Sequence, residues 1–122
     1  MNDENELDSF GKILMEGLRD SSIHYFDRLS QGKWKAPALQ TLQTDLKTFN
    51  EEQISIVRRA LISSIDTGIH DFLFKLQQQD EEGITIVVNG KNLADISDGL
   101  HGELFTEDGW YQRFSEYGEN QE

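Results

Sequence analysis

The sequence predicts an α+β protein: a helical N-terminal half with a long central amphipathic helix, a small antiparallel β-meander of two or three strands, and a short C-terminal helix. Three observations carry that reading. Asn50 to Gln79 holds a helical hydrophobic period without interruption; Ile84 to Val88 is a short β-branched run followed at once by Asn89-Gly90; and Trp110, Phe114 and Tyr117 recur on one helical face before Gly118. No internal repeat, low-complexity tract or linker divides the 122 residues, so one domain is expected over 1–122, with residues 1–6 and 119–122 too polar to anchor themselves.

From Leu7 to Leu29 the apolar residues Leu7, Phe10, Leu14, Leu18, Tyr25, Phe26 and Leu29 mostly keep helical spacing. Either one helix spans this stretch, or two helices meet near Asp20, Ser21 and Ser22, whose side chains compete with the backbone for hydrogen bonds. Gly32 is a natural stop. Lys33 to Pro37 then reads as a loop, because the residue before a proline is pushed out of the helical region. Pro37 suits the first position of a short helix carrying Leu39, Leu42 and Leu46.

The central helix is predicted to begin at Glu51, with Asn50 as N-cap, Gln53 reaching back as in a capping box, and Phe49 packing on Ile54 as a staple. At about 100° per residue, Ile54, Val57, Leu61, Ile62, Ile65, Ile69, Phe72, Leu73 and Leu76 form one stripe, with Ile65 at its centre. Gly68 on that side suggests close crossing by another element in preference to a kink, since glycine in a helix interior otherwise costs about 1 kcal/mol. Arg58 enters the stripe, where it either snorkels to solvent or meets a carboxylate or other anion.

Asp80, Glu81, Glu82 and Gly83 end the helical half, and Ile84 to Val88 reads as a strand. Asn89-Gly90 fits a two-residue type I′ turn, returning Lys91 to Ile96 antiparallel; Asp98-Gly99 repeats the signal before Leu100 to Phe105. Helical spacing of Leu93, Ile96, Leu100 and Leu104 is the rival pattern, opposed by Gly99 and Gly102. Thr106 is the expected cap of the last helix, with Glu107 and Asp108 in its first turn.

Charge narrows the function. Eleven Lys and Arg against 23 Asp and Glu give a formal net charge of -12, which repels nucleic-acid phosphates and anionic lipid and so disfavours direct binding to either. The charge is segregated. Residues 28–59 carry six Lys or Arg against three acids, while residues 95–122 carry eight acids against Arg113. Such an acidic end suits solvation or a basic protein partner. Cysteine is absent, the acidic start MNDENELD has no signal-peptide character, and no apolar run is long enough for a bilayer; a soluble cytoplasmic protein is therefore expected. In general character the chain resembles small acidic bacterial proteins, a likeness that attaches to no residue.

Chemistry-bearing residues are few. Ser97 to Glu103 places Asp98, His101 and Glu103 on a glycine-rich turn, where imidazole and carboxylates suit a metal or general acid-base work, although a plain solvated turn needs the same residues. Asp66 and His70 stand four apart on the central helix, a spacing that also holds metals, or simply a local ion pair on an exposed face. No cofactor is implied, and the motifs of zinc proteases, phosphate loops, dinucleotide folds and serine hydrolases are missing. The expected function is a non-catalytic accessory or regulatory role through protein contacts, made by Trp34 and by the acids Glu103, Glu107, Asp108 and Glu116, with homo-oligomers compatible with it. The alternative is a small metal- or ligand-binding enzyme using His101 with Asp98, Glu103 or His70.

Overall fold

The first helical run is continuous, and its buried residues recur in fours: Leu7, Gly11, Met15, Arg19 and Ile23 all face inward. In an ideal α-helix the sixteen residues from Leu7 to Ile23 would accumulate about 160° beyond four full turns, putting the two on opposite faces. The computed structural model, which describes residues 3–79 and 83–119, absorbs this drift in a π-helical segment, Met15–Asp20. One extra residue in a π turn takes up about 100° of the mismatch, leaving a single buried face. The run is therefore α1 (Asp3–Leu14), the π segment and α2 (Ser21–Ser30), neither an unbroken α-helix nor two helices parted at Asp20. Helix α1 starts at Asp3 and buries Glu6, so residues 3–6 belong to the fold against expectation; residues 1 and 2 lie outside the described residues.

Gly32 ends α2 as expected. Its φ is 69°, its amide bonds the Leu29 carbonyl and the next amide, Lys33, bonds that of Arg28, which is a Schellman closure. Pro37–Leu39 forms a 3-10 turn leading into α3 (Gln40–Leu46), where Gln43 and Leu46 are buried but Leu42 is exposed. The loop between is fastened by side chains: the Trp34 amide donates to Gln43 Oε1 at 2.9 Å, and its carbonyl accepts from Gln43 Nε2 at 3.0 Å.

Helix α4 runs Glu51–Gln79. The capping box is present in both directions, Asn50 N–H to Gln53 Oε1 and Gln53 N–H to Asn50 Oδ1, each 2.8 Å, while Phe49 stays exposed. The stripe is narrower than its periodicity implied. Ile62, Ile69 and Leu73 are buried, Ile65 is only half-buried and Phe72 is 53% exposed. Gly68 is not crossed: among the described residues no heavy atom beyond the helix's own backbone lies within 4 Å of where its Cβ would stand. The close approach occurs instead at Gly11, where a Cβ would fall inside the Trp110 indole.

The C-terminal third keeps two strands of the predicted meander and replaces the third. Strands β1 (Val87–Val88) and β2 (Lys91–Asn92) pair antiparallel, Val88 opposite Lys91, around an Asn89-Gly90 turn whose φ angles of 51° and 80° match type I′. There the sheet ends. Asn92 caps α5 (Leu93–Ile96) through Ala94 N–H, and Leu100–Leu104 is a 3-10 turn, not a third strand. Gln77 of α4 holds this arrangement from outside the segment, donating to the Ala94 carbonyl at 3.0 Å and accepting from Leu100 N–H at 2.9 Å. The last helix, α6 (Trp110–Phe114), begins after Gly109, later than predicted; Thr106 is not its cap but sits in the preceding turn with φ 77°, strained for a β-branched residue. Glu119, expected to be loose, donates its amide to Gln112 Oε1; residues 120–122 and the acidic stretch 80–82 lie outside the described residues.

Leu7, Met15, Ile69, Leu73, Leu93, Leu100, Leu104, Trp110 and Tyr111 form the main core, joining α1, the start of the π segment, the C-terminal half of α4, α5, the 3-10 turn and α6. Lys91 Nζ stands 3.6 Å from buried Glu6 Oε2, tying the hairpin to α1. No helix among the described residues is long and apolar enough to cross a membrane.

Candidate functional site

The chemistry-bearing residues nominated by the sequence lie on the turn at residues 97–103 and on α4 at Asp66 and His70, and the fold treats them differently. Around the 3-10 turn, Asp98, His101 and Glu103 border one open hollow of about 290 Å³. Glu103 is already engaged, accepting the Ser97 hydroxyl proton at 2.6 Å, while Ser97 Oγ accepts Gly99 N–H at 3.1 Å. The His101 ring packs edge-on against Phe74 at 5.0 Å and against His70 at 5.2 Å, and its Nδ1 is buried with no hydrogen-bond partner among the described residues. So His101 and His70, distant in sequence, do meet. Asp66 does not join them.

Asp66 is consumed by a residue the sequence reading passed over. Arg19, fully buried, donates from Nε to Asp66 Oδ1 at 2.7 Å and from Nη2 to Oδ2 at 3.1 Å, a bidentate pair. Its Nη1 reaches Ser115 Oγ at 2.9 Å and the Gly118 carbonyl at 2.5 Å, and its guanidinium lies 4.4 Å from the Tyr111 ring centre. Asp20 completes the arrangement by accepting from Ser115 Oγ and from Glu116 N–H. A buried guanidinium needs such full pairing, because breaking one partner leaves an uncompensated charge. The Asp66–His70 metal pair is thus not formed; His70 Nδ1 stands 3.0 Å from Asp71 Oδ1 instead. Among the described residues no group of three His, Asp or Glu is gathered to hold a metal ion.

The acidic surface is partly assembled. Glu103 and Asp108 border one cleft of about 340 Å³ together with Asp8, Leu7 and Arg113. Arg113 donates to both Asp8 oxygens, at 2.6 and 3.1 Å, and to the Asp108 carbonyl at 2.8 Å. Glu107 is exposed beside Asp108 in the turn before α6, not in a helical first turn. Glu116 lies away from the cleft, its amide bound to Asp20. Asp8 was missed because nothing local links it to Arg113, 105 residues on.

Trp34 is half-buried: its indole N–H donates to the Tyr25 carbonyl at 3.1 Å and Arg28 stands 5.0 Å over its ring. Arg58, the other singled-out cation, meets a carboxylate, bonding Asp27 through Nε at 2.8 Å and Nη2 at 3.3 Å. That hydrogen-bonded pairing, outweighing partial desolvation, raises the Arg58 pKa above its ordinary value. Burial does the same to the adjacent Tyr117, helped by Glu116, Asp27 and Asp20 and opposed by Arg58.

One further feature has no counterpart in the sequence reading. Between the first helical run and α4 lies an apolar trough in two contiguous parts that share Ile65: about 260 Å³ beside Leu14, Leu18, Gly68 and Phe72, and about 460 Å³ beside Tyr25, Phe26, Leu29 and Leu61. Its signal was present in Gly68, a glycine facing an apolar side with no partner element. No protein-family model, curated protein or solved structure matches the chain.

Proposed function

We propose that the protein is a non-catalytic accessory or regulatory factor that works through protein contacts, its acidic C-terminal end meeting a basic partner. The supporting observation is the cleft where Asp8, Glu103 and Asp108, drawn from α1, the 3-10 turn and the turn before α6, stand around Arg113, with Glu107 exposed alongside. Arg113 neutralises one of these carboxylates; the rest leave a negative surface on a chain of net charge -12. Such a surface acts chiefly on association rate, through attraction screened over about 8 Å at physiological ionic strength. Affinity capture from cytoplasmic extract, with the partners identified by mass spectrometry, tests it first. Replacing Glu107 and Asp108 together by Lys then slows association with a captured basic protein and flattens its salt dependence, without unfolding the domain. An acidic partner, or a rate indifferent to both reversal and salt, leaves the surface as a solvated face.

A second reading, a small metal- or ligand-binding enzyme, is supported by the meeting of His70 with His101, which itself lines a hollow with Asp98 and Glu103. It requires stoichiometric zinc or manganese binding that His101→Ala abolishes while leaving unfolding cooperative. Calorimetry without a binding isotherm at micromolar metal removes this reading.

A further inference from the structure

We propose that the end of the molecule formed by the C-terminus of α2, the Trp34 loop and α3 is a second docking surface, one that takes an acidic segment of a partner protein. The chain has a net charge of -12, yet residues 28–59 carry six Lys or Arg against Asp45, Glu51 and Glu52. Glu51 and Glu52 stand in the first turn of α4, where the helix dipole offsets them in part, and Arg58 is paired with Asp27. Arg28, Lys33, Lys35 and Lys47 belong to the α2–α3 end, and none of the four makes an ion pair among the described residues.

The fold gathers these four cations. Lys33 and Lys35, both exposed, flank Trp34 in the chain. Lys47, just past α3, reaches back to the same loop, its Cε and Nζ 3.0 and 3.4 Å from where a Cβ on Gly32 would stand. The Arg28 guanidinium lies 5.0 Å over the Trp34 ring. From Arg28 back to Asp8, at the acidic cleft, is roughly 30 Å along the first helical run, several times the screening length of about 8 Å. A ligand at the α2–α3 end therefore meets the local cations and little of the field from the acidic end.

The loop that carries Lys33 and Lys35 is fixed in advance. The Trp34 amide donates to Gln43 Oε1 at 2.9 Å, and its carbonyl accepts from Gln43 Nε2 at 3.0 Å and from Gln40 Nε2 at 2.9 Å. Gln40 Nε2 also reaches the Ala36 carbonyl at 3.1 Å. The indole N–H is bonded to the Tyr25 carbonyl, and the two rings stand 5.7 Å apart, so the side chain anchors the loop to α2. Lysines held in place this way escape the ordering cost that a mobile loop incurs on binding.

The kind of cation selects the partner. Three of the four are lysines, compact point charges, and the one guanidinium lies over an indole, so the surface offers phosphate no open bidentate fork. Carboxylates spaced along a peptide suit separate ammonium groups, whereas a nucleic acid would carry its phosphates past the edge of the patch and onto the acids beyond it. The inference stands apart from the function proposed above. One consequence alone rests on that reading: the chain would join an acidic protein at this end to a basic protein at the other.

Fluorescence anisotropy of a labelled peptide of Glu and Asp alternating with Ser, titrated with the full chain at physiological salt, tests the proposal. Saturable binding with a Kd on the order of 100 µM or tighter is expected, weakening as salt is raised. Lys33→Glu combined with Lys35→Glu should raise that Kd at least about tenfold. Both side chains are exposed, so the circular dichroism and the urea midpoint of the double variant should match those of the parent chain. Absence of saturable binding overturns the proposal, as does binding that the double reversal leaves unchanged. A thymidine oligonucleotide of equal charge that binds as tightly as the peptide also overturns it. Reversing Glu107 and Asp108, which tests the acidic end, should leave the peptide affinity within about twofold, so each surface stands or falls without the other.

Discussion

Trp110 is fully buried with no acceptor for its indole N–H among the described residues, whereas Trp34 is half-exposed and has its indole N–H, backbone N–H and carbonyl all hydrogen-bonded. The two ends of the molecule follow the same division. Around Trp110, α1 and α4 are covered by a third layer, the segment from α5 to α6, and apolar contact dominates: Phe10 meets the indole edge-on at 5.9 Å and Gly11 lets the ring settle on the helix backbone. Around Trp34 the described residues supply no such layer, and α2, α3 and the start of α4 are secured by polar clamps, Gln43 on the Trp34 backbone and Asp27 on Arg58. A third layer closes an apolar face; without it, the helices leave a trough.

Truncating each tryptophan should show this division most strongly. Trp110→Ala is expected to lose about 3–5 kcal/mol, the range for deleting a large buried aromatic. Trp34→Ala removes one hydrogen bond and a stacked cation and should cost about 1–2 kcal/mol. Urea denaturation of both variants measures the difference; equal losses would mean that the α2–α3 end carries a core of its own. The paired glycines give a smaller effect with opposite signs. Gly11→Ala drives a methyl into the indole and should destabilise by about 1–3 kcal/mol, since the ring lies between helices and has little room to yield. Gly68→Ala, measured dilute, should stabilise by up to about 1 kcal/mol through helix propensity alone. A destabilising Gly68→Ala would place that face in contact within a single chain.

What the residues disclosed in advance was local. The capping box at Asn50 and Gln53, the Gly32 stop and the Asn89-Gly90 turn each depend on neighbours within a few positions, and each formed as read. The third strand failed because its fate was set from outside: Gln77 fixes Ala94 and Leu100, and two short helical turns, parted at residues 97–99, stand where strands were read. Site residues divide in the same way. Asp98, His101 and Glu103 share a hollow because a short turn gathers them. Asp66 is taken up by Arg19, 47 residues away and beyond the reach of any local pattern, and the Glu116 amide bonds Asp20 apart from the acidic cleft. Ile65 and Phe72 lay on the apolar stripe of a helix whose outer part the chain leaves uncovered.

The π segment also gives the first helical run a residue of slack. Its additional residue is taken up without changing the rotational phase between α1 and α2, so deleting one position within Met15–Asp20, Gly17 for instance, would restore ordinary α-helical winding and leave both halves facing as they do. Adding one position without a second bulge would instead turn one half about 100° relative to the other. With α1 held by Trp110, Ile23, Phe26 and Leu29 would then swing away from α4, and Arg19 would lose its alignment with Asp66. Point substitutions at Gly17 would leave the phase intact, since among the described residues no neighbouring side chain stands within 4 Å of where its Cβ would be. The segment therefore tolerates the loss of a residue better than the gain of one, an asymmetry that a paired scan of single-residue deletions and insertions would expose and a substitution scan would pass over.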